Sequence, residues 1–411
     1  MLLINNRVIG GVLLVSGTTI GAAMLALPPV TGLAGFYPSA TLFFIYWAFF
    51  AFTAFLMLEV TLWMEEDTNL ITMARRTLGI GGEALSWVTY LFLLYSLTTA
   101  YLAGSSSIVL NTIHTFTGYT MPSWFGPLPL LFIFGFFVYR GAKFVDVANR
   151  VFMLGLTFTY CATVYLLFPH VQSSNLNYSD PQFLLISNSV LATSFGFHII
   201  IPSLATYLKR NVRQLRLTIL IGSSIPLVVY LIWEWVSLGV IPLEGRYGII
   251  QGYEEGANGA YLLGGLLGNS SISMLLRLFA FFSIVTSFLG VSLSLRDFLA
   301  DGFKIEKTHK GKIKLYLMTF APTLLFMWTY PRAFLSALEY AGAFGVMILL
   351  GFLPAVMVWR GRYSQGLPTK FRTPGGKVAL IIVMVFSSLV VFLEIANKLG
   401  FTDFIINVLK V

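Results

Sequence analysis

Apolar runs of about 20 residues, the length an α-helix needs to cross roughly 30 Å of hydrocarbon, recur along this chain and constrain its fold more than any other feature. About eleven can be counted off. The expected spans cover residues 8–30, 36–63, 84–114, 128–139, 148–168, 183–208, 217–239, 271–298, 315–330, 333–359 and 378–398. A soluble domain has nowhere to bury so much apolar surface: 57% of the 411 residues are hydrophobic, 10% are charged, and the mean hydropathy is +0.82. Barrel strands would instead show short alternating segments. The fold class is therefore an all-α integral membrane protein. Arg7 precedes the first run, which is read as a span and not as a cleaved signal peptide, since it is long and lacks an A-x-A pattern.

Charge sets the expected orientation. All but five of the 26 Lys and Arg residues fall on one set of alternate loops and span ends, the exceptions being Arg246, Arg277, Arg332, Lys398 and Lys410. This positive-inside bias places the N-terminus in the cytoplasm and the C-terminus outside. It also accounts for the net charge of +9 without a nucleic-acid partner. The single cysteine, Cys161, lies in an apolar run, so no disulfide framework or metal cluster is expected. The stretch from Glu65 to Gly79 reads as a short helix on the inner face, capped at Asp67 or Thr68. The segment 242–269 is either a functional lid or a slack connector.

Two spans carry weak helix formers at mid-depth. The first reads VIGGVLLVSGTTIGAAMLALPPV from Val8 to Val30, and the sixth is interrupted by TSFGFH from Thr193 to His198. Freed backbone inside a bilayer is tolerated only where it faces protein or a polar cavity. A half-helix that starts there offers unpaired N–H groups and a positive dipole end to an anionic group such as a carboxylate. The interruptions fall five spans apart, and because five is odd a second five-span unit must cross in the opposite sense. The expected organisation is one transmembrane domain: a five-helix repeat over 7–170, an inverted repeat over 181–360, and an additional helix over 378–400.

Several blocks resemble the hydroxy and aromatic amino acid permeases nearly end to end: GTTIGAAMLALP (17–28), TSFGFH (193–198), GSSIPLVVY (222–230), TSFLGVSLSLRDFLAD (286–301) and YPRAF (330–334), with Tyr340, Ala341 and Gly342. The resemblance implies a LeuT-like five-plus-five fold in the inner membrane. It also implies proton-coupled import of an aromatic amino acid, tyrosine first, with tryptophan and phenylalanine as alternatives. No cofactor or protein partner is implied beyond substrate, coupling ion and bilayer. Ala23 stands where the family pattern GTTIGAGM has glycine. The fifth span reads MLGLTF at 153–158, with no lysine to carry a proton.

For a zwitterion, backbone N–H groups of Thr18, Thr19, Ile20 and Gly21 are the candidate carboxylate donors, and carbonyls around Thr193 and Ser194 the ammonium acceptors. Phe195 and Phe197 beside Gly196 are candidates to line an aromatic slot, with Tyr95, Thr98, Thr99 and Tyr101 closing it. His198 either exchanges the coupled proton or stays neutral and holds the unwound backbone. Thr286 and Ser287 are the alternative, a sodium site, unless their hydroxyls merely bond the preceding helical turn. Glu59, Glu234, Glu339 and Glu394 fall toward span ends, where a carboxylate reaches the interface. An enzyme is disfavoured: His114, His170, His198 and His309 are scattered, and no H-E-x-x-H or nucleotide loop occurs. A channel would need a continuous polar stripe, whereas polarity here gathers at one level.

Overall fold

The computed structural model describes residues 6–65, 68–268, 270–306, 308–330, 332–368 and 370–400. These form helices with no strand among the described residues. The first span is a bent pair, Asn6–Thr19 and Ala23–Thr31, whose axes turn by 54°. Nine further helices are long and apolar enough to cross a membrane. They are the second (Phe36–Trp63), third (Ile80–Thr117), fourth (Ser123–Arg140), fifth (Ala142–His170), sixth (Pro181–Tyr207), seventh (Val212–Val240), eighth (Ser271–Gly302), tenth (Ala333–Tyr363) and eleventh (Gly376–Lys398).

The ninth helix, His309–Thr329, is 21 residues long, yet it is absent from that set. Its first two turns hold His309, Lys310, Lys312 and Lys314, which leaves an apolar stretch of about 22 Å, short of the hydrocarbon thickness. Contacts nevertheless carry it from one face of the bundle to the other, antiparallel to the fourth span. His309 Nδ1 lies 2.7 Å from the Tyr139 hydroxyl, Tyr316 donates to the Leu131 carbonyl at 3.1 Å, and Tyr330 shares a cavity with Ser123 and Trp124. Ten spans are thus marked by length and composition, and packing supplies the eleventh crossing.

Burial sorts the bundle into centre and rim. The half-helix Ala23–Thr31 is apolar all round and wholly buried, as a helix surrounded by other helices must be. Of the most apolar stretch of each span, 78% is buried in the tenth but only 22% in the fifth and 28% in the eleventh, so the last two face lipid. The tenth widens to a π-helix over Ala341–Phe352. There Gly342 packs against the Ser189 carbonyl so closely that a Cβ would overlap it, and Thr193 donates to the Leu338 carbonyl at 2.8 Å. Gly35 is required at the turn into the second span: its φ is +85°, and a Cβ would run into the Tyr178 carbonyl.

The four carboxylates expected near the interface are buried, Glu59 and Glu234 completely. Glu59 is held by Arg362, whose Nε donates at 2.6 Å, and by the Thr373 N–H at 2.8 Å. Glu339 accepts from Lys398 at 2.6 Å, and Glu394 accepts from Ser189 at 2.7 Å. The short helix expected after the second span covers Leu70–Leu78 and is capped by Asn69, which accepts from the Thr72 N–H at 2.9 Å. The cap therefore sits beyond the expected Thr68, and Asp67 lies outside the described residues. The segment 242–269 is no slack connector: helices Ile249–Glu255 and Gly259–Leu267 pack on the first span, with Gly259 against Pro28 and Ile249 against Gly32.

Candidate functional site

The break in the first span follows from its hydroxyls. Ser16, Thr18 and Thr19 donate to the carbonyls of Val12, Leu14 and Val15 at 3.0, 2.7 and 2.8 Å, a back-bonding that loosens the end of a helix. Gly21 follows, and the chain leaves the helix over residues 20–22. The second half begins with tight bonds from Met24 N–H to the Gly21 carbonyl and Leu25 N–H to the Ala22 carbonyl, at 3.2 and 3.1 Å. Among the described residues no carbonyl receives the N–H of Gly21 or Ala23. Ile20 N–H, by contrast, is spent on the Ser16 carbonyl at 2.9 Å. The unpaired donors of the break are thus Gly21, the last of the expected set of Thr18, Thr19, Ile20 and Gly21, and Ala23, two positions beyond it.

In the sixth span the helix stops at Ser194, runs irregularly through Phe195, Gly196 and Phe197, and restarts at His198. One side chain joins the two breaks. The Tyr230 hydroxyl, fully buried on the seventh span, lies 2.6 Å from the Thr19 carbonyl and 3.0 Å from the Ser194 carbonyl. It donates to the nearer of the two. From the eighth span Ser287 accepts the Ala22 N–H at 2.9 Å, and the Tyr101 side chain lies beside it. Phe195 packs between Phe43 and Tyr230, with ring centroids 6.2 and 5.4 Å away.

Other candidates go elsewhere. Phe197 belongs to a separate apolar cluster with Val15, Ala54 and Leu204, so it does not share a slot with Phe195. Tyr95 donates to the Met318 carbonyl of the ninth helix at 2.7 Å, and Thr98 and Thr99 bond their own preceding turn. Tyr101 is the third-span residue that reaches the break. Thr286 bonds the carbonyls of Phe282 and Ser283, and Ser287 faces an N–H donor, an arrangement opposite to that of a cation site. Gly196 backs onto Val346 and Leu350 of the π-helix. His198 is buried, with Nε2 2.8 Å from the Thr53 hydroxyl and Nδ1 unpartnered.

Sequence reasoning passed over Tyr230. Its signal was a lone hydroxyl in the apolar run after Pro226, at the end of GSSIPLVVY.

Cavities approach the breaks from both faces. One of about 570 Å³ is lined by Ala103, Ser107, Asn258, Trp328 and Phe334, and one of about 240 Å³ on the other face is lined by Asn69, Tyr90, Pro202 and Phe298. Phe334 lies against Gly104, one turn from Tyr101, and Pro202 follows the sixth-span break by one turn. Polar backbone thus sits between two cavities that open toward opposite faces, the layout of a substrate path with its binding level in the middle.

Gly21 is a tight point of the first-span break. A Cβ there would lie 2.5 Å from Ser287 Oγ, so Gly21→Ala must push that hydroxyl off the Ala22 N–H. An unpaired buried donor costs about 1–3 kcal/mol. Substrate uptake by Gly21→Ala, normalised to protein in the membrane, is expected to fall by roughly tenfold; wild-type uptake would show that the contact carries no weight.

The model of the tryptophan/tyrosine permease family matches residues 4–394. The tyrosine-specific transport system 1 of Haemophilus influenzae is 33% identical over 98% of this chain and 100% of its own length. System 2 of the same organism is 30% identical over 97% and 98%. A tryptophan-specific transport protein of Pseudomonas aeruginosa is 30% identical over 92% of each chain. A match of this extent, on a bundle whose broken first and sixth spans meet through Tyr230, means that the chain belongs to the tryptophan/tyrosine permease family.

Proposed function

We propose that this chain is a secondary active transporter that imports an aromatic amino acid, tyrosine preferred, together with protons, by alternating access across the bacterial inner membrane. The observation that carries the reading is the pair of breaks joined by one hydroxyl, with free donors on one side and carbonyls on the other. The substrate carboxylate takes the N–H groups of Gly21 and Ala23 at the positive end of the half-helix Ala23–Thr31. Its ammonium group takes carbonyls at the end of Leu184–Ser194. Its ring lies beside Phe195 and Tyr101, where the aromatic cluster around Tyr230 offers edge and face contacts. The names of the tyrosine- and tryptophan-specific relatives support an aromatic side chain.

Breaks five spans apart support a LeuT-like five-plus-five arrangement over 7–170 and 181–360. The uneven Lys and Arg distribution supports a cytoplasmic N-terminus and an external C-terminus. Proton coupling is favoured over sodium because the Thr286 hydroxyl is spent on its own helix and Ser287 meets an N–H. No enzymatic step is required by this reading.

Uptake of labelled tyrosine, tryptophan, phenylalanine and glutamine into proteoliposomes under imposed proton or sodium gradients tests it. Tyrosine accumulation driven by an inward proton gradient is expected. Accumulation that requires sodium and ignores pH would replace the proton with sodium, and no counterflow of any of the four would end the transporter reading.

A further inference from the structure

Glu234 is the buried carboxyl that the binding site leaves unexplained. It lies on the seventh span one turn beyond Tyr230 and is 0% exposed. The other three buried carboxylates described above each have a cation, Arg362 for Glu59 and Lys398 for Glu339 and Glu394. Glu234 has none among the described residues. Its Oε1 meets the Thr31 hydroxyl, and its Oε2 has no partner. A carboxylate with no cation beside it and one oxygen without a partner is costly to hold in its ionised form in so apolar a place.

The hydrogen count at Thr31 agrees. Thr31 Oγ1 also lies 2.7 Å from the Leu27 carbonyl, an acceptor only. A hydroxyl has one hydrogen, so if it donates to Leu27 the contact with Glu234 needs a proton on the carboxyl, which then donates to Thr31 Oγ1.

Nothing on the neighbouring elements substitutes for that proton. On the seventh span itself Arg213 and Arg216 lie about 27 Å or more away along the helix, and the Tyr230 hydroxyl is spent on the two breaks. The first span brings only Arg7, at its far end. The second brings Tyr37 at its start, Tyr46 bonded to Asn188, and Glu59 bonded to Arg362. The fifth brings Lys143, the Asp146–Arg150 pair, Tyr160 bonded to the Val229 carbonyl, Cys161, Tyr165, and His170 at the Leu166 carbonyl. Helix Ser173–Leu176 has no titratable group, Gly259–Leu267 has Tyr261 alone, and Ile249–Glu255 has Tyr253, Glu254 and Glu255 in its last turn. The eighth span, which meets the seventh through Phe279 against Trp233, brings Arg277 bonded to the Thr115 hydroxyl, the Arg296–Asp297 pair and Asp301.

A cavity comes close to Glu234. About 210 Å³ in volume, it is lined by Gly32, Ser174, Asn175, Tyr178, Leu238 and Ile249. Gly32 adjoins Thr31, and Leu238 is one turn above Glu234. The polar lining admits water to within a turn of the carboxyl.

We propose that Glu234 carries the coupled proton, loading from that cavity and bonding Thr31 when protonated, so that the loaded state adds a second tie between the seventh span and the half-helix Ala23–Thr31 to the one Trp233 makes with the Met24 carbonyl at 3.0 Å. The proton comes from bulk water on one side and returns to bulk water on the other, with the carboxyl regenerated each cycle. The assignment rests on the proton-coupled reading above.

The test uses full-length protein in proteoliposomes with an entrapped pH dye and labelled tyrosine, comparing wild type, Glu234→Gln and Glu234→Asp. Wild type is expected to exchange tyrosine and to move protons with net uptake. Glu234→Gln, which keeps the shape and hydrogen-bonding of a protonated carboxyl, is expected to exchange tyrosine while proton movement drops to the level of protein-free vesicles. Glu234→Asp keeps both. Proton movement by Glu234→Gln equal to wild type overturns the assignment alone. Loss of exchange in both variants overturns it too, by making the side chain a packing element, and so does loss of exchange in Glu234→Gln alone, because an uncharged mimic of the loaded carboxyl must still exchange. A wild-type chain that exchanges tyrosine without moving protons removes the proton-coupled reading and this assignment with it.

Discussion

Replacing Arg362 with Ala is expected to cost about 3–5 kcal/mol of folded stability. The pair it breaks is out of reach of water, with side-chain exposures of 3% for Arg362 and 0% for Glu59. The guanidinium grips both oxygens of Glu59 and donates to the Thr373 carbonyl at 2.8 Å. It thereby ties the end of the second span to the end of the tenth and to the loop leading into the eleventh. Removing the cation leaves a carboxylate buried beside apolar helix surfaces, and that uncompensated charge outweighs the lost packing. The measurement is the thermal unfolding midpoint in detergent together with the yield of folded protein. A double variant, Glu59→Leu with Arg362→Met, should recover much of the loss, because an apolar pair of similar volume carries no desolvation cost. A double variant no more stable than either single change would refute this account.

Tyr230→Phe is expected to give the largest loss of transport from a change that leaves the fold intact. The ring stays against Phe195 and only the oxygen goes, so packing is preserved. What is lost is the hydroxyl that donates to the Thr19 carbonyl and lies 3.0 Å from the Ser194 carbonyl, the ends of the two interrupted helices. A buried acceptor left without a donor costs about 1–3 kcal/mol, a factor of roughly 5 to 150 if it falls on one state of the transport cycle. Uptake rates with normal protein levels and an unchanged melting profile would show the effect. Wild-type uptake by Tyr230→Phe would mean that the two breaks need no tie.

The residues that worked as sequence signals were those whose effect is local. Ser16, Thr18, Thr19 and Gly21 announce a break because back-bonding hydroxyls and a glycine disturb the turn they sit in. Thr193 to Phe197 do the same in the sixth span, and Asn69 displaced Thr68 as the cap by a single residue. The ninth helix was legible as an apolar run, although its basic first turns disguise its true length. What each hydroxyl or carboxyl meets was not legible. Tyr95 and Tyr101 are alike in sequence, yet one serves the ninth helix and the other the break. Phe195 and Phe197 are two apart and fall into different clusters.

The sequence by itself determined that the chain spans a membrane many times, and where two of those spans must come apart. Both follow from residues near one another in the chain: hydrophobic length for the spans, and backbone propensity for the breaks. Only the tertiary structure decided that Tyr230 closes the gap between the breaks and that Ser287 faces an N–H. It also decided that Glu59, Glu339 and Glu394 each meet a cation while Glu234 meets none among the described residues. Most of those pairings join residues tens to hundreds of positions apart. Their energies depend on whether a partner sits within hydrogen-bond distance in a medium without water, and periodicity along the chain does not encode that distance.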